Sequence, residues 1–278
     1  MRLTVFAICV LLASTIQAQL DTVWTKTLGG SKADAFGSWP AGRASSFVTE
    51  NGDIVTAATT TSIDGMIANS IEAPDVWIVK LNSKGDTLWT KLYGGNSWDV
   101  VTDIVQSQFG GFYICGYTYS NSNDFIGHHG TINETDGFIA KFDDNGNKIW
   151  IKQYGGYRII EIGGDDYLYS IKEFPNGTVM AVGETNSING ELYFDNTMFN
   201  VGWILHIDSL GNVIDSKKIV ESAHSEWNAN QFLKIQILPE NSGYVVLGQT
   251  FELINSHNIW VVRFDKAGQV VWSKAYGS

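Results

Sequence analysis

The chain has 278 residues and a formal charge of −11 at neutral pH, its 18 Lys and Arg residues being outnumbered by 29 Asp and Glu. Its basic residues form no run longer than Lys217-Lys218, which argues against the concentrated basic face that nucleic acid or an anionic membrane demands. An acidic, evenly charged surface of this kind suits a soluble secreted protein.

The first residues read as an export signal. Met1-Arg2 gives a short positive start, residues 3–16 are apolar, and Ile16-Gln17-Ala18 supplies a small residue for cleavage. A signal peptide over 1–18 and a mature domain over 19–278 are expected. The apolar run is shorter than the roughly 20 residues needed to cross a bilayer, so no membrane insertion is expected after cleavage. Cys9 lies within that run, which leaves Cys115 alone in the mature chain and no intramolecular disulfide. Stability must then come from burial, and a chain of this size removes about three-quarters of its unfolded surface from water.

Beyond the signal the chain repeats. Val23-Trp24-Thr25-Lys26-Thr27-Leu28-Gly29-Gly30 returns as Leu88-Trp89-Thr90-Lys91-Leu92-Tyr93-Gly94-Gly95, then as Ile149-Trp150-Ile151-Lys152-Gln153-Tyr154-Gly155-Gly156, and finally as Val271-Trp272-Ser273-Lys274-Ala275-Tyr276-Gly277. A degenerate copy with Asp215 at the Trp position fills the remaining gap, so the spacings are 65 (24 to 89), 61 (89 to 150), 65 (150 to 215) and 57 (215 to 272). A second ladder precedes the first each time: Val76-Trp77-Ile78-Val79-Lys80-Leu81, Gly137-Phe138-Ile139-Ala140-Lys141-Phe142, Gly202-Trp203-Ile204-Leu205-His206-Ile207 and Ile259-Trp260-Val261-Val262-Arg263-Phe264. Gly-ended turns at Gly85, Gly146, Gly211 and Gly268 join the two ladders into hairpins. A third ladder supplies another hairpin, turning at Asn51-Gly52, Gly110-Gly111, Asn176-Gly177 and Ser242-Gly243.

Two hairpins per repeat and no helical periodicity predict an all-β fold, a β-propeller of four-stranded blades. The blades fall near 46–92, 101–153, 166–219 and 231–276, with one extra N-terminal strand of the fourth type around Trp24. The terminal Ala275-Tyr276-Gly277-Ser278 cuts the Tyr-Gly-Gly motif short, so an incomplete or open ring is expected. Long polar connections around 58–74, 118–135 and 185–200 form the variable surface.

The Trp-x-Lys-x-Tyr-Gly-Gly motif, the Asn-Gly hairpin, the Gly-x-Thr after it (Gly116-Tyr117-Thr118, Gly183-Glu184-Thr185, Gly248-Gln249-Thr250) and the Asp-x-Trp-Ile-Val-Lys strand together resemble the secreted β-propeller repeat proteins common in Bacteroidetes. The resemblance covers residues 21–278, and departs from the pattern at Asp215 and at Val220-Glu221, where Gly-Gly is lost. Many such proteins are cargo of type IX secretion. The resemblance implies an extracellular or cell-surface location and an interaction role, and it brings no catalytic motif.

Candidate sites are few. Trp24, Trp89, Trp150 and Trp272 recur at one strand position and therefore serve the blade, where burying about 200 Å² is worth up to ~5 kcal/mol each. Trp98 and Trp227 lie outside the ladders and are candidate ligand contacts. His128 and His129 sit in a Gly-flanked loop and are also candidate contacts, although adjacent side chains seldom turn to one ion from an extended chain. Asp75 and Asp136 before the third strand, and Asp34, Asp99 and Asp165 after Gly-Gly, are expected to bond backbone N–H groups between blades. Asp143-Asp144-Asn145-Gly146-Asn147 lacks the sixth-position Gly and closing Glu of a calcium loop and reads as a hairpin turn. No His-Glu-x-x-His, Gly-x-Ser-x-Gly or Walker loop is present, so neither catalytic residues, nor a cofactor, nor a metal is expected.

The expected role is a non-enzymatic module binding an extracellular protein or glycan through its loops. The alternative is a propeller glycoside hydrolase or lyase whose carboxylates come from different blades. Asp21-Thr22-Val23, Asp86-Thr87-Leu88 and Asp208-Ser209-Leu210 match an Asp-Ser/Thr-aliphatic pattern resembling O-glycan acceptors of exported Bacteroidetes proteins. Intact-mass analysis of protein exported by its native host is expected to show a chain starting at Gln19 with hexose-type additions at Thr22, Thr87 or Ser209; an unmodified mass removes the glycosylation reading.

Overall fold

A computed structural model describes residues 24–34, 44–67, 74–131, 133–157, 164–188, 200–220, 229–251 and 257–277. Four antiparallel four-stranded sheets follow one another along the chain, each in simple sequence order. Blade 1 holds β1 (Ser45–Val48), β2 (Ile54–Thr60), β3 (Asp75–Leu81) and β4 (Thr87–Tyr93). Blade 2 holds β5 (Asp99–Gln106), β6 (Phe112–Thr118), β7 (Asp136–Phe142) and β8 (Lys148–Tyr154). Blade 3 is β9 (Asp166–Glu173), β10 (Val179–Thr185), β11 (Val201–Ile207) and β12 (Val213–Ile219), and blade 4 is β13 (Ala229–Ile237), β14 (Tyr244–Phe251), β15 (His257–Phe264) and β16 (Val270–Tyr276).

The hairpin turns form because their chemistry closes locally. Asn82, Asp143, Asp208 and Asp265 each accept backbone N–H groups two and four residues ahead through one side-chain oxygen. Each turn then ends on a glycine with φ of 84°, 74°, 77° and 73° at Gly85, Gly146, Gly211 and Gly268, a region an L side chain resists. The segment Asp143–Asn147 is therefore the hairpin turn expected, its carboxylate occupied by Asn145 and Asn147.

Period-two alternation directs side chains from each sheet to its two neighbours. In blade 1, Val76 and Ile78 enter a core shared with Ile104, Phe112 and Phe138 of blade 2. Tyr113, Cys115 and Ile139 of blade 2 meet Leu168, Trp203 and Leu205 of blade 3. Met180, Val182 and Ile204 of blade 3 meet Phe232, Val246 and Trp260 of blade 4. The second-ladder tryptophans are the deeply buried ones, Trp203 and Trp260 being fully enclosed, and Trp77, Trp203 and Trp260 each donate to a hydroxyl of the first ladder, Thr90, Ser216 and Ser273.

Of the first-ladder tryptophans, Trp24, Trp89 and Trp150 pack against the cores as expected, but half-buried at their edge, where they cover the next blade. Trp24 packs on Gly85 and donates to the Ser83 carbonyl at 3.0 Å, Trp89 lies over Gly146, and Trp150 lies over Gly211 and donates to the Ser209 carbonyl at 3.3 Å. Lys26, Lys91 and Lys152 reach the same turns. Residues 24–30 pair with no sheet among the described residues, so the extra N-terminal strand is not formed as a strand there, yet Trp24 occupies the place a preceding blade would give it.

At the axis, a bulge in β5 makes Thr102 the extra residue and turns Asp103 inward. The Asp103 carboxylate accepts from Ser45 of β1, from its neighbour Ile104 N, from Ser170 and Ile171 N of β9, and from Lys234 of β13. One buried carboxylate thus ties all four blades. Among the described residues no strand pair between the fourth and the first sheet makes extended contact, so the four blades form an arc rather than a closed ring. No helix among the described residues is long and apolar enough to cross a membrane.

Asp103→Ala leaves buried donors on β9 and a half-buried one on β1 unmatched and is expected to cost about 2–4 kcal/mol in urea denaturation. Lys234→Met is expected to cost less than about 1 kcal/mol, because the Lys234 side chain is 54% exposed.

Candidate functional site at the loop end

All strands of odd number begin, and all of even number end, at one end of the arc, where the long connections gather; tight turns close the other end. At the loop end each described Gly-Gly is seated on an aspartate that opens the next blade. Asp34 accepts from Gly30 N at 2.8 Å and Thr60, Asp99 from Gly95 N at 2.7 Å, Thr118 and Ser120, and Asp166 from Gly156 N at 2.9 Å and Ser187. The glycines are needed because side chains crowd them: a Cβ on Gly94 would lie 2.0 Å from Asp75 Oδ1, and one on Gly155 2.3 Å from Asp166 Oδ2 and 2.9 Å from Asp136 Oδ1.

The aspartate in blade 3 is Asp166, not Asp165. The connection after Gly155-Gly156 is longer than its counterparts, ten residues from Gly156 to Asp166 against four from Gly30 to Asp34 and from Gly95 to Asp99, so spacing does not single out Asp166. Asp165 accepts a backbone N–H from the neighbouring blade as expected, that of Thr135, together with the Thr135 hydroxyl.

Carboxylates from adjacent blades do meet, Asp75 with Asp99 and Asp136 with Asp166, but all four are at most 2% exposed. Burial raises the Asp99 carboxyl to about 7, against the hydrogen bonds from Thr118, Gly95 and Ser120, and Asp75 adds to the rise. Burial likewise holds Asp166 well above the usual range, with Asp136 adding to it, and raises Asp136 in spite of His129. Carboxyls sealed from solvent in this way serve as joints and offer no face to a substrate.

His128 and His129, expected in a solvated loop, both turn to Asp136. His129 donates its backbone N–H to Oδ2 at 2.7 Å and places Nδ1 2.9 Å from it, while His128 Nδ1 lies 3.4 Å away. The remaining His128 nitrogen lies 2.9 Å from the Thr131 carbonyl, and the His128 side chain is almost fully buried. No group of three metal-ligating side chains occurs among the described residues. The pair closes the blade 2 loop over Asp136.

At the loop end an aromatic band runs inward from the surface: Trp98 is exposed, Tyr119 and Tyr167 are half-buried, and Tyr117 and Tyr169 are buried. Trp98, 39% exposed, stands edge-on to Tyr119 at 6.5 Å, Tyr119 neighbours Tyr167, Tyr117 meets Tyr167 at 4.9 Å, and Tyr167 stacks on Tyr169 at 6.1 Å. Tyr169 is the extra residue of a bulge in β9, and its hydroxyl donates to Glu184 Oε1 at 2.5 Å; Asn200 Nδ2 donates to Glu184 Oε2 at 2.9 Å. Burial raises the carboxyl of Glu184. The band crosses from blade 2 to blade 3, bordered by Asp165, Glu184 and Asn200.

Of the sequence candidates, Trp98 opens this band. Trp227, Thr22 and the signal segment 1–18 lie outside the described residues. Ser209 is exposed on a turn, whereas Thr87 is half-buried and accepts from Lys26. Tyr117, Tyr119, Tyr167 and Tyr169 were not singled out by sequence, since none recurs from blade to blade. Cys115 is wholly buried, and burial pushes its thiol far above the ordinary range.

No family model matches the chain, and no curated protein matches it. Among solved structures it is similar to a protein of unknown function from Dyadobacter fermentans, with 11% identity and a TM-score of 0.48 over 87% of this chain and 66% of that one. A serine-to-alanine mutant of puromycin hydrolase matches at 9% identity and a TM-score of 0.47, over 84% of this chain and 32% of that one. A mutant of the Synechocystis apocarotenoid oxygenase matches at 14% identity and 0.35, over 85% and 63%. The chain thus spans from about a third to about two thirds of the length of these proteins.

Because Asp99 holds its proton more tightly folded than unfolded, its contribution to stability is present at low pH and is lost as pH rises from about 4 through 7. Asp99→Asn cannot titrate. The stability difference in favour of the unmodified chain over this variant, from urea denaturation, is expected to widen by about 2 kcal/mol between pH 7.5 and pH 5.

Proposed function

We propose that this chain is a secreted or cell-surface, non-enzymatic β-propeller module that binds glycan or protein through its loop end, with glycan the better fit. The observation that supports this is the aromatic band from Trp98 through Tyr119 and Tyr167 to Tyr169, bordered by Glu184, Asn200 and Asp165. The partly exposed rings of Trp98, Tyr119 and Tyr167 suit the apolar face of a sugar ring, the half-buried Asp165 and Asn200 beside them suit its hydroxyls, and buried Glu184 fixes Tyr169 and Asn200 in place. Such a site needs no reacting group. Among the described residues, the carboxylate pairs Asp75 with Asp99 and Asp136 with Asp166, which join adjacent blades, are sealed behind the Gly-Gly segments and do not offer the exposed pair a glycoside hydrolase or lyase requires. Export and a Bacteroidetes-type origin belong to the same proposal and rest on the sequence of residues 1–18 and on the repeat motif.

A glycan array probed with the mature chain, followed by calorimetry on the best ligand, is expected to give saturable binding that Trp98→Ala and Tyr167→Ala each weaken at least tenfold. Phe109→Ala, at the opposite end, is expected to leave it unchanged. Binding to no glycan, or binding indifferent to both loop-end variants, overturns the glycan reading; retention of a protein by the loop end alone would put the protein reading in its place.

A further inference from the structure

The joint between blades 3 and 4 differs from the others at the turn end. Where Trp24, Trp89 and Trp150 lie 2.7–3.2 Å from the would-be Cβ of Gly85, Gly146 and Gly211, the equivalent Asp215 does not approach Gly268, whose nearest side-chain atoms are Lys217 Nζ and the Tyr244 hydroxyl. The turn itself is unchanged. Gly268 N donates to the Asp265 carbonyl as Gly85 N does to Asn82, Gly146 N to Asp143 and Gly211 N to Asp208. Asp215 turns to the outside, its side chain 47% exposed and 3.0 Å from Lys217. The volume a tryptophan would fill is left as a cavity of about 130 Å³ that Asp215, Gly268, Phe174, Met180, His206 and Tyr244 help to line.

The cavity opens to solvent and, at about 130 Å³, is close to the roughly 150 Å³ that holds a benzene-sized ring, so an indole seats one of its two rings inside and leaves the other at the mouth, as the half-buried tryptophans of the other joints do. Its aromatic walls are preset: Phe174 stands edge-on to Tyr244 at 6.1 Å and lies 6.2 Å from the His206 ring. It also has the right acceptor. In two of the three intact joints, those of Trp24 and Trp150, the indole N–H donates to the carbonyl two residues before the turn glycine, Ser83 and Ser209; at this joint that residue is Lys266, which lines the cavity.

We propose that the cavity beside Asp215 is a binding site for an indole ring, laid over Gly268 with its N–H donating to the Lys266 carbonyl. The ring takes the place that the chain's own tryptophan takes at the other joints. Free indole compounds and the tryptophan side chain of a peptide share this chemistry. The site stands apart from the loop end and does not depend on the function proposed for it.

The test uses the mature chain with its methionine methyls labelled, since the sequence has four methionines and only Met180 lines the cavity. 5-Fluoroindole and N-acetyl-tryptophanamide are titrated separately, with fluorine NMR following the first and the methyl spectrum following both. Saturable binding of 5-fluoroindole with a ring-current shift of the Met180 methyl is expected, and Asp215→Trp, which fills the cavity, should weaken it at least tenfold while raising Tm. Asp215→Ala should retain it. Binding of both probes supports a tryptophan side chain as ligand, and binding of 5-fluoroindole alone supports a small molecule. An unshifted Met180 methyl at saturation, no saturable binding of either probe, or equal binding by a folded Asp215→Trp protein overturns the proposal; the Met180 readout decides even if that variant does not fold.

Discussion

The arc is held by a joint made twice between consecutive blades, once at each end of the sheets. At the turn end a tryptophan and a lysine from one blade close over the turn glycine of the next. At the loop end an aspartate of the next blade caps the Gly-Gly leaving the first. Between them lies a core of interdigitated side chains, and a sheet with one bare face is not stable alone. The motif Trp-x-Lys-x-Tyr-Gly-Gly is thus the sequence of a contact: each of its conserved-looking residue types touches the following blade or makes room for it.

The third joint shows what happens when that contact erodes. Asp215 replaces Trp at one end, Val220-Glu221 replaces Gly-Gly at the other, and Asn230 stands where the other blades have aspartate. The changes are matched. Asn230 is 3% exposed and neutral, so this joint buries no charge where the others bury a carboxylate. Asn230 Oδ1 and Thr250 Oγ1 are left without hydrogen-bond partners among the described residues, while the apolar core around Phe232, Trp260 and Ile204 continues to hold blades 3 and 4 together.

Legibility followed repetition. The strands, turns and blade order could be read because Trp89, Lys91 and Gly94 recur at near-constant spacing, and a repeated side chain reports a repeated environment. The same rule misread depth. Trp203 and Trp260 are more buried than Trp89 and Trp150, a distinction that depends on which neighbour each face meets and not on residue type. Asp166 was missed in favour of Asp165 because the preceding connection varies in length, and the turning of His128 and His129 onto Asp136 could not be read from an extended-chain argument. The Tyr117, Tyr167 and Tyr169 band was invisible for a related reason: its members come from two blades, and Tyr169 owes its position to a bulge.

The tryptophan joint has a polarity. Blades 1, 2 and 3 each receive a ring on their turn, and blades 1 and 2 each offer one from their outer strand, so the contact is heterologous, and nothing in it counts blades. Blade 1 receives Trp24, whereas Trp272 of blade 4 covers no turn glycine among the described residues. A contact of this type fixes the handedness and spacing of neighbours while leaving the number of units to the accumulated rotation between them. Such an array lengthens or shortens by whole blades without any change at the surfaces that hold it together.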